Sequence, residues 1–133
     1  MDGSFRDIES AMHDIRINKK ANVLLCIIRG KLDSAEAEEY VSKLKAAADE
    51  LDEGFAVISD LTEFTPTDDG VRDILHGGTE YVFSRGVGRV VRVVTESVTS
   101  QVGNIQLNRS ARQLGYQAEI VHSMAEAKQL LKL

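Results

Sequence analysis

Apolar residues recur along the chain in two patterns, short runs typical of strands and longer stretches with helical spacing. Strand-like runs occupy 13–18, 23–28, 55–58, 90–94 and 116–121. Apolar positions three or four residues apart predict helices over about 33–51, 68–84, 99–114 and 124–131. The predicted order is therefore β-β-α-β-α-β-α-β-α.

Strands that alternate with helices predict an α/β fold with a mainly parallel sheet. The short polar turn 19–22 joins the first two strands as a hairpin, so one strand is antiparallel and the sheet is mixed. We predict about five strands and four helices. A length of 133 residues fits one domain over 1–133.

Some local signals set the ends of the predicted helices. Asp33 and Glu36 form a D-x-x-E variant of the capping box, and Gly115 is the stop of the third helix. Gly77-Gly78 falls inside the second helix. Either that helix is interrupted there, or another backbone packs close against Gly78.

The segment 55–71, FAVISDLTEFTPTDDGV, is the stretch most suggestive of a working site. It predicts a buried strand ending at Asp60, a turn around Pro66 and an acidic helix start that Thr67 caps. Such turns direct backbone N–H groups towards solvent, which suits anions, phosphate esters or docking partners. The candidate partner-binding residues are Asp60, Thr65, Thr67, Asp68, Asp69 and Gly70.

This segment and the element order resemble the STAS fold of anti-sigma-factor antagonists and of the cytoplasmic tails of sulfate transporters. The resemblance extends from about His13 to Leu131. In the antagonists, the segment matching 55–71 is an apolar strand, a short loop and a D-S-S-G or D-S-T-G motif that opens a helix. A partner kinase phosphorylates the hydroxyl residue before that glycine.

Asp69 stands directly before Gly70 here, so the phosphorylatable hydroxyl of the motif is absent. This departure places the chain nearer to the divergent SpoIIAA-like, or STAS/SEC14, group. The resemblance implies a non-enzymatic bacterial regulatory or interaction module without a cofactor. By the same resemblance, its protein partner docks on the turn 65–70 and the helix 68–84.

Two interpretations of Asp68 and Asp69 stay open. Acidic residues in a first helical turn stabilise it through the helix macrodipole, by roughly 0.3–1 kcal/mol each. Alternatively, Asp69 supplies a permanent negative charge where the resemblance places a switchable phosphate. Separately, Thr65 and Thr67 are candidates for a displaced phosphoacceptor.

The SEC14 side of the resemblance suggests a second function, the binding of a small apolar or lipid-like ligand. Such a ligand needs an apolar cavity between helices and sheet. Gly77, Gly78, Tyr81 and Phe83 are candidate lining residues, because glycines allow a ligand to approach the backbone. The competing interpretation places these residues in the ordinary core.

Asp60 and Thr95 lie at the ends of consecutive predicted strands, where response-regulator receiver domains keep conserved positions. A receiver also needs an acidic pair after its first strand and a lysine after its last. The chain has Arg29-Gly30-Lys31 and His122-Ser123 at those places. We therefore predict that Asp60 orders the turn to Thr62 through a local hydrogen bond.

Charge and composition exclude some classes of function. A net charge of -5 gives no general attraction to nucleic acid or to an anionic membrane. Arg85, Arg89 and Arg92 are interpreted as a solvated rim in preference to an anion site. No apolar run is long enough to span a bilayer, and the N-terminus has no apolar signal core, which favours a cytoplasmic location. An exposed sheet edge makes a homodimer plausible.

The sequence offers no complete catalytic set. Cys26 lies in an apolar run and is interpreted as a small buried hydrophobe, and one cysteine cannot form an internal disulfide. The three histidines, His13, His76 and His122, have no metal-ligand spacing, so no metal site is expected. We assign no catalytic residue.

Overall fold

A computed structural model of the protein describes residues 12–133. The prediction that the N-terminus has no apolar signal core concerns residues that lie largely outside this range. The strands are β1 (His13–Asn18), β2 (Val23–Ile28), β3 (Ala56–Asp60), β4 (Arg89–Val93) and β5 (Glu119–Val121). The helices are α1 (Ser34–Asp49), α2 (Asp69–Ser84), α3 (Val98–Leu114) and α4 (Met124–Leu130).

The five strands form one mixed sheet in the order β1-β2-β3-β4-β5. The β1–β2 pair is antiparallel, and the other three pairs are parallel. The predicted element order and the mixed, mainly parallel sheet are therefore confirmed. Ser59 on β3 lies in register with Cys26 on β2 and with Arg92 on β4, which brings these three side chains into one row.

The sheet is covered on both faces. The larger core lies between the sheet and α1 and α2, and Leu107 of α3 packs against it. The smaller core lies on the opposite face, where Ala127 and Leu130 of α4 cover Val91 and Val93. Burial on both faces explains why the central strands read as continuous apolar runs.

Predicted signals at two helix ends are confirmed. Asp33 caps α1, where its Oδ1 accepts from the Glu36 N–H at 2.8 Å and the Glu36 side chain accepts from the Asp33 N–H. Gly115 ends α3 in the left-handed region at φ 77°, which a side chain would disfavour. These signals depend on neighbours in sequence, which is why a pattern of residues reveals them.

Gly78 gives a close contact between two helices, and α2 continues through it. A Cβ atom at this position would lie 2.9 Å from Cγ2 of Val41 and 3.3 Å from Cδ2 of Leu44. The sequence offered an interrupted helix or a close backbone as explanations. The neighbours are instead side chains of α1.

The last strand is shorter than the predicted run 116–121. The Tyr116 N–H donates to the Ala111 carbonyl at 3.0 Å, which closes the end of α3. The Tyr116 ring stacks on Phe83, with the ring centroids 4.2 Å apart. These contacts keep Tyr116 from pairing with β4, and β5 begins only at Glu119.

Candidate functional site

The loop that leaves β3 is held by several local contacts. The Asp60 carboxylate accepts from the Thr62 N–H at 3.0 Å and from the Thr62 hydroxyl at 2.7 Å, as the sequence predicts. The Gly30 N–H donates to the Glu63 carbonyl, and the Thr65 N–H donates back to Gly30. The loop therefore presents a fixed turn at the start of α2.

Thr67 is not the N-cap residue that the sequence predicts. Asp68 holds that position, without a side-chain capping bond, and α2 begins at Asp69. Thr67 is buried, and Gln106 of α3 donates to its carbonyl at 3.4 Å and to its hydroxyl at 3.3 Å. This contact between distant segments displaces the local cap and buries Thr67.

The two aspartates at the start of α2 are exposed. The Asp68 carboxylate pairs with Lys31 at 3.0 Å, and Asp69 pairs with Arg72 one turn along the helix. Their side chains are 78% and 90% accessible, so these pairs add little to stability. Two carboxylates at this helix start oppose the binding of an anion there and offer an acidic surface to a partner.

Gly70 and Gly77 share the outer face of α2, because they are two helical turns apart. A Cβ atom at either position would meet no other atom within 4 Å. Packing within the described residues does not explain glycine at either position, although glycine in a helix costs roughly 0.5–1 kcal/mol relative to alanine. The outer face of α2 is thus bare at two positions.

A cavity of about 70 Å³ lies between the sheet and the helices. Of the four residues predicted to line a pocket, only Phe83 lines it. Gly78 faces α1, and the Tyr81 hydroxyl donates to Asp49 at 2.6 Å, while Gly77 lies on the outer face of α2. Helical rotation therefore directs three of the four predicted residues elsewhere.

The cavity is small for the lipid-like ligand that the sequence suggests. Sites for drug-sized molecules occupy roughly 300–1,000 Å³. The lining is mainly apolar, with side chains such as Leu61, Phe64 and Leu107. Cys26 also lines it, and burial raises the pKa of its thiol to about 12, which leaves the thiol inert at neutral pH.

Arg92 lines the same cavity, and its prediction as part of a solvated rim is wrong. Arg85 and Arg89 are exposed, but only 1% of Arg92 is accessible. Its position in the middle of VVRVV is the signal that sequence reasoning missed, because a central parallel strand is covered on both faces. Burial lowers the pKa of Arg92, and the Tyr116 hydroxyl offsets part of that shift.

Other chemistry is sparse in the part of the chain that the structure describes. Residues 12–133 contain no group of three or more His, Cys, Asp or Glu side chains placed to hold a metal ion. His76 contacts Ser110, and His122 contacts the Val94 carbonyl. None of the described helices has both the length and the apolar composition needed to cross a membrane.

Comparison with solved structures identifies the fold. The anti-sigma factor antagonist SpoIIAA, in its unphosphorylated form, superposes with a TM-score of 0.59 at 11% identity, over 90% of this chain and 97% of that one. The protein TM1081 superposes with a TM-score of 0.55 at 13% identity, over 89% of this chain and 86% of that one. No protein-family model and no curated protein sequence matches the chain. The protein has a STAS-like fold.

Proposed function

We propose that the protein is a non-enzymatic, cytoplasmic interaction module of the regulatory type. Its docking surface consists of the turn 65–70 and the outer face of α2. The likeness in fold to an anti-sigma factor antagonist supports this class of function. A protein partner, rather than a substrate, is the expected occupant of that surface.

The observation that carries the proposal is the bare outer face of α2. Gly70 and Gly77 leave two positions on that face without a side chain, and the space that a Cβ atom would enter at each is open. A partner could approach the helix backbone closely at both positions. Glycine keeps the helix backbone accessible but lowers the stability of the helix, which fits a binding surface better than a structural one.

The charge of this surface indicates the chemistry of the partner. Asp68, Asp69 and Asp73 are exposed at the start of α2, in a protein with a net charge of -5. A basic patch on the partner would complement them and speed association. In this proposal Asp69 supplies a constant negative charge next to Gly70, where the antagonists of the STAS family carry their phosphorylatable residue.

The test is an affinity pull-down from native cell extract, with bound proteins identified by mass spectrometry. Wild type is compared with Asp69→Lys and with Asp52→Lys, a matched charge reversal of an exposed residue that precedes β3 rather than following it. The affinity of an identified partner should fall by about tenfold or more with Asp69→Lys and change little with Asp52→Lys. Circular dichroism checks that both variants are folded.

Equal loss of affinity in the two variants would indicate a general charge effect, and no loss in either would place the docking surface elsewhere. A small apolar ligand recovered with all three proteins, and no protein partner, would favour a ligand-binding function instead.

A further inference from the structure

The guanidinium of Arg92 is buried among neutral acceptors. Its Nη1 donates to Oδ1 of Asn104 at 3.1 Å and to Oδ1 of Asn108 at 2.5 Å. Its Nη2 donates to the Leu107 carbonyl at 3.4 Å and to the Tyr116 hydroxyl at 3.1 Å. No carboxylate of the described residues forms an ion pair with it. The fold thus buries a permanent positive charge with hydrogen bonds but without a counter-charge.

Such an arrangement is unfavourable for folding alone. An arginine stays protonated in proteins, and a buried charge without an opposite charge is costly even when neutral groups accept its hydrogen bonds. A leucine or methionine would fill this position in a parallel strand at lower cost. The position therefore indicates a role for the charge itself.

The cavity gives that charge access to a small ligand. Arg92 and Ser59 both line it, and they are paired residues on β4 and β3. Neither the Arg92 Nε–H nor the Ser59 hydroxyl hydrogen-bonds to any of residues 12–133. Two donors on adjacent strands are thus available on one wall, and Phe64, Phe83 and Leu107 form apolar walls around them.

We propose that this cavity binds a short-chain monocarboxylate, with the carboxylate at Arg92 and Ser59 and the hydrocarbon part against the apolar walls. The free Arg92 Nε–H and the Ser59 hydroxyl can each donate to a carboxylate oxygen, and the Arg92 hydrogen bond is charge-assisted. At roughly 10–15 Å³ for each water-sized group, the volume of about 70 Å³ holds five to seven such groups. Propionate and butyrate are of this size.

The lining also discriminates against other anions. Asp60 lines the cavity, and the negative charge of its carboxylate repels a dianionic ligand more strongly than a monoanionic one. Phosphate would also need more donors than Arg92 and Ser59 provide. The apolar walls contribute nothing to phosphate, whereas they bury the methylene groups of butyrate.

The Phe83 and Tyr116 rings separate this cavity from a surface cleft. Both residues line the cavity, and both line a cleft together with Val87 and Glu119. A displacement of the stacked rings would join the two spaces and admit the ligand. The Tyr116 hydroxyl also accepts from Nη2 of Arg92, so this ring contacts the proposed site directly.

The test is an NMR titration of the isotopically labelled protein with sodium butyrate at constant ionic strength. The Arg92 Nε–Hε and Ser59 amide signals should shift and saturate. Butyramide, which has the same shape without the charge, and inorganic phosphate should give no saturable shift at these signals. Equal responses to butyrate and butyramide, a stronger response to phosphate, or no saturable shift with propionate or butyrate would each overturn the proposal.

Variants separate binding at Arg92 from a general effect of charge. Arg92→Gln should weaken butyrate binding by roughly tenfold or more, because a hydrogen bond to a charged group is lost. The matched control is Arg89→Gln, on the same strand but exposed and paired with Glu119, and it should leave the affinity within about twofold.

A second variant covers the case in which Arg92→Gln does not fold. Ser59→Val keeps Arg92 but removes the hydroxyl and narrows the cavity, so it should also weaken butyrate binding by roughly tenfold. Unchanged affinity in a folded Ser59→Val protein would overturn the assignment of the site.

Discussion

Gly77 and Gly78 are neighbours in sequence and differ completely in surroundings. Gly77 faces open space, whereas Gly78 lies against Val41 and Leu44 of α1. Glycine lowers the stability of any helix to a similar extent at both positions. Close packing against α1 therefore explains why residue 78 is glycine. Packing does not explain why residue 77 is glycine.

Alanine substitution separates these two roles. Gly77→Ala should raise the free energy of unfolding by about 0.5–1 kcal/mol, because it restricts the unfolded chain and adds no contact. Gly78→Ala should be less stable than Gly77→Ala by roughly 1–3 kcal/mol, because its methyl group overpacks the contact with Val41. Urea unfolding followed by circular dichroism measures both, and equal values would show that α1 does not approach Gly78 this closely.

Gly77→Ala also tests the proposed docking surface. If a partner approaches the backbone there, Gly77→Ala weakens partner binding while it stabilises the fold. If Gly77 has no role in binding, Gly77→Ala should stabilise the fold and leave partner binding unchanged.

At the scale of the element, α3 inverts the usual distribution of side chains. Its buried positions include Ser100, Gly103, Gln106 and Ser110, while Val98, Val102 and Ile105 are exposed. Two of these buried side chains form hydrogen bonds: the Ser100 hydroxyl accepts from the Thr95 N–H, and the Gln106 amide donates to the Thr67 carbonyl. The helix is therefore attached to the domain through specific polar contacts more than through apolar area.

This inversion explains which elements the sequence predicts well. The cap at Asp33, the stop at Gly115 and the turn at Asp60 each depend on residues within four positions, so a local pattern is enough. The burial of Arg92 and Thr67 depends on α3, which contacts them from far along the chain. No local pattern reveals the Gln106 contact of Thr67, whereas the run VVRVV signals the burial of Arg92 but not its partners on α3.

Two substitutions on α3 test its inverted faces. Gln106→Leu should lower the free energy of unfolding by roughly 1–3 kcal/mol, because buried polar atoms of Thr67 lose their partner. Ile105→Gln, at a side chain that is 59% exposed, should change it by no more than about 0.5 kcal/mol. Thermal and urea unfolding give both values. The reverse ranking would mean that α3 packs through Ile105.

At the scale of the whole molecule, the two faces of the sheet have very different covers. α1, α2 and α3 lie on one face, whereas on the other the seven-residue α4 covers Val91 and Val93. Ala127 is the fully buried residue of that helix, with 0% of its surface accessible. If the chain is one domain, as its length suggests, loss of this small cover should destabilise both faces together.

A charge on α4 tests this coupling. Ala127→Asp should lower the free energy of unfolding by roughly 3–5 kcal/mol, because it buries an unpaired carboxylate against Val91 and Val93. Ala125→Asp places the same charge on the exposed side of the first turn and should be neutral or slightly stabilising through the macrodipole. Circular dichroism reports on the whole chain, and the fluorescence of Tyr40, Tyr81 and Tyr116 reports on the face opposite α4. Coincident transitions, both shifted by Ala127→Asp, are expected of a single cooperative unit, since the parallel strands belong to both cores. Separate transitions would mean that α4 and its small core unfold independently of the face that carries the cavity and the docking surface.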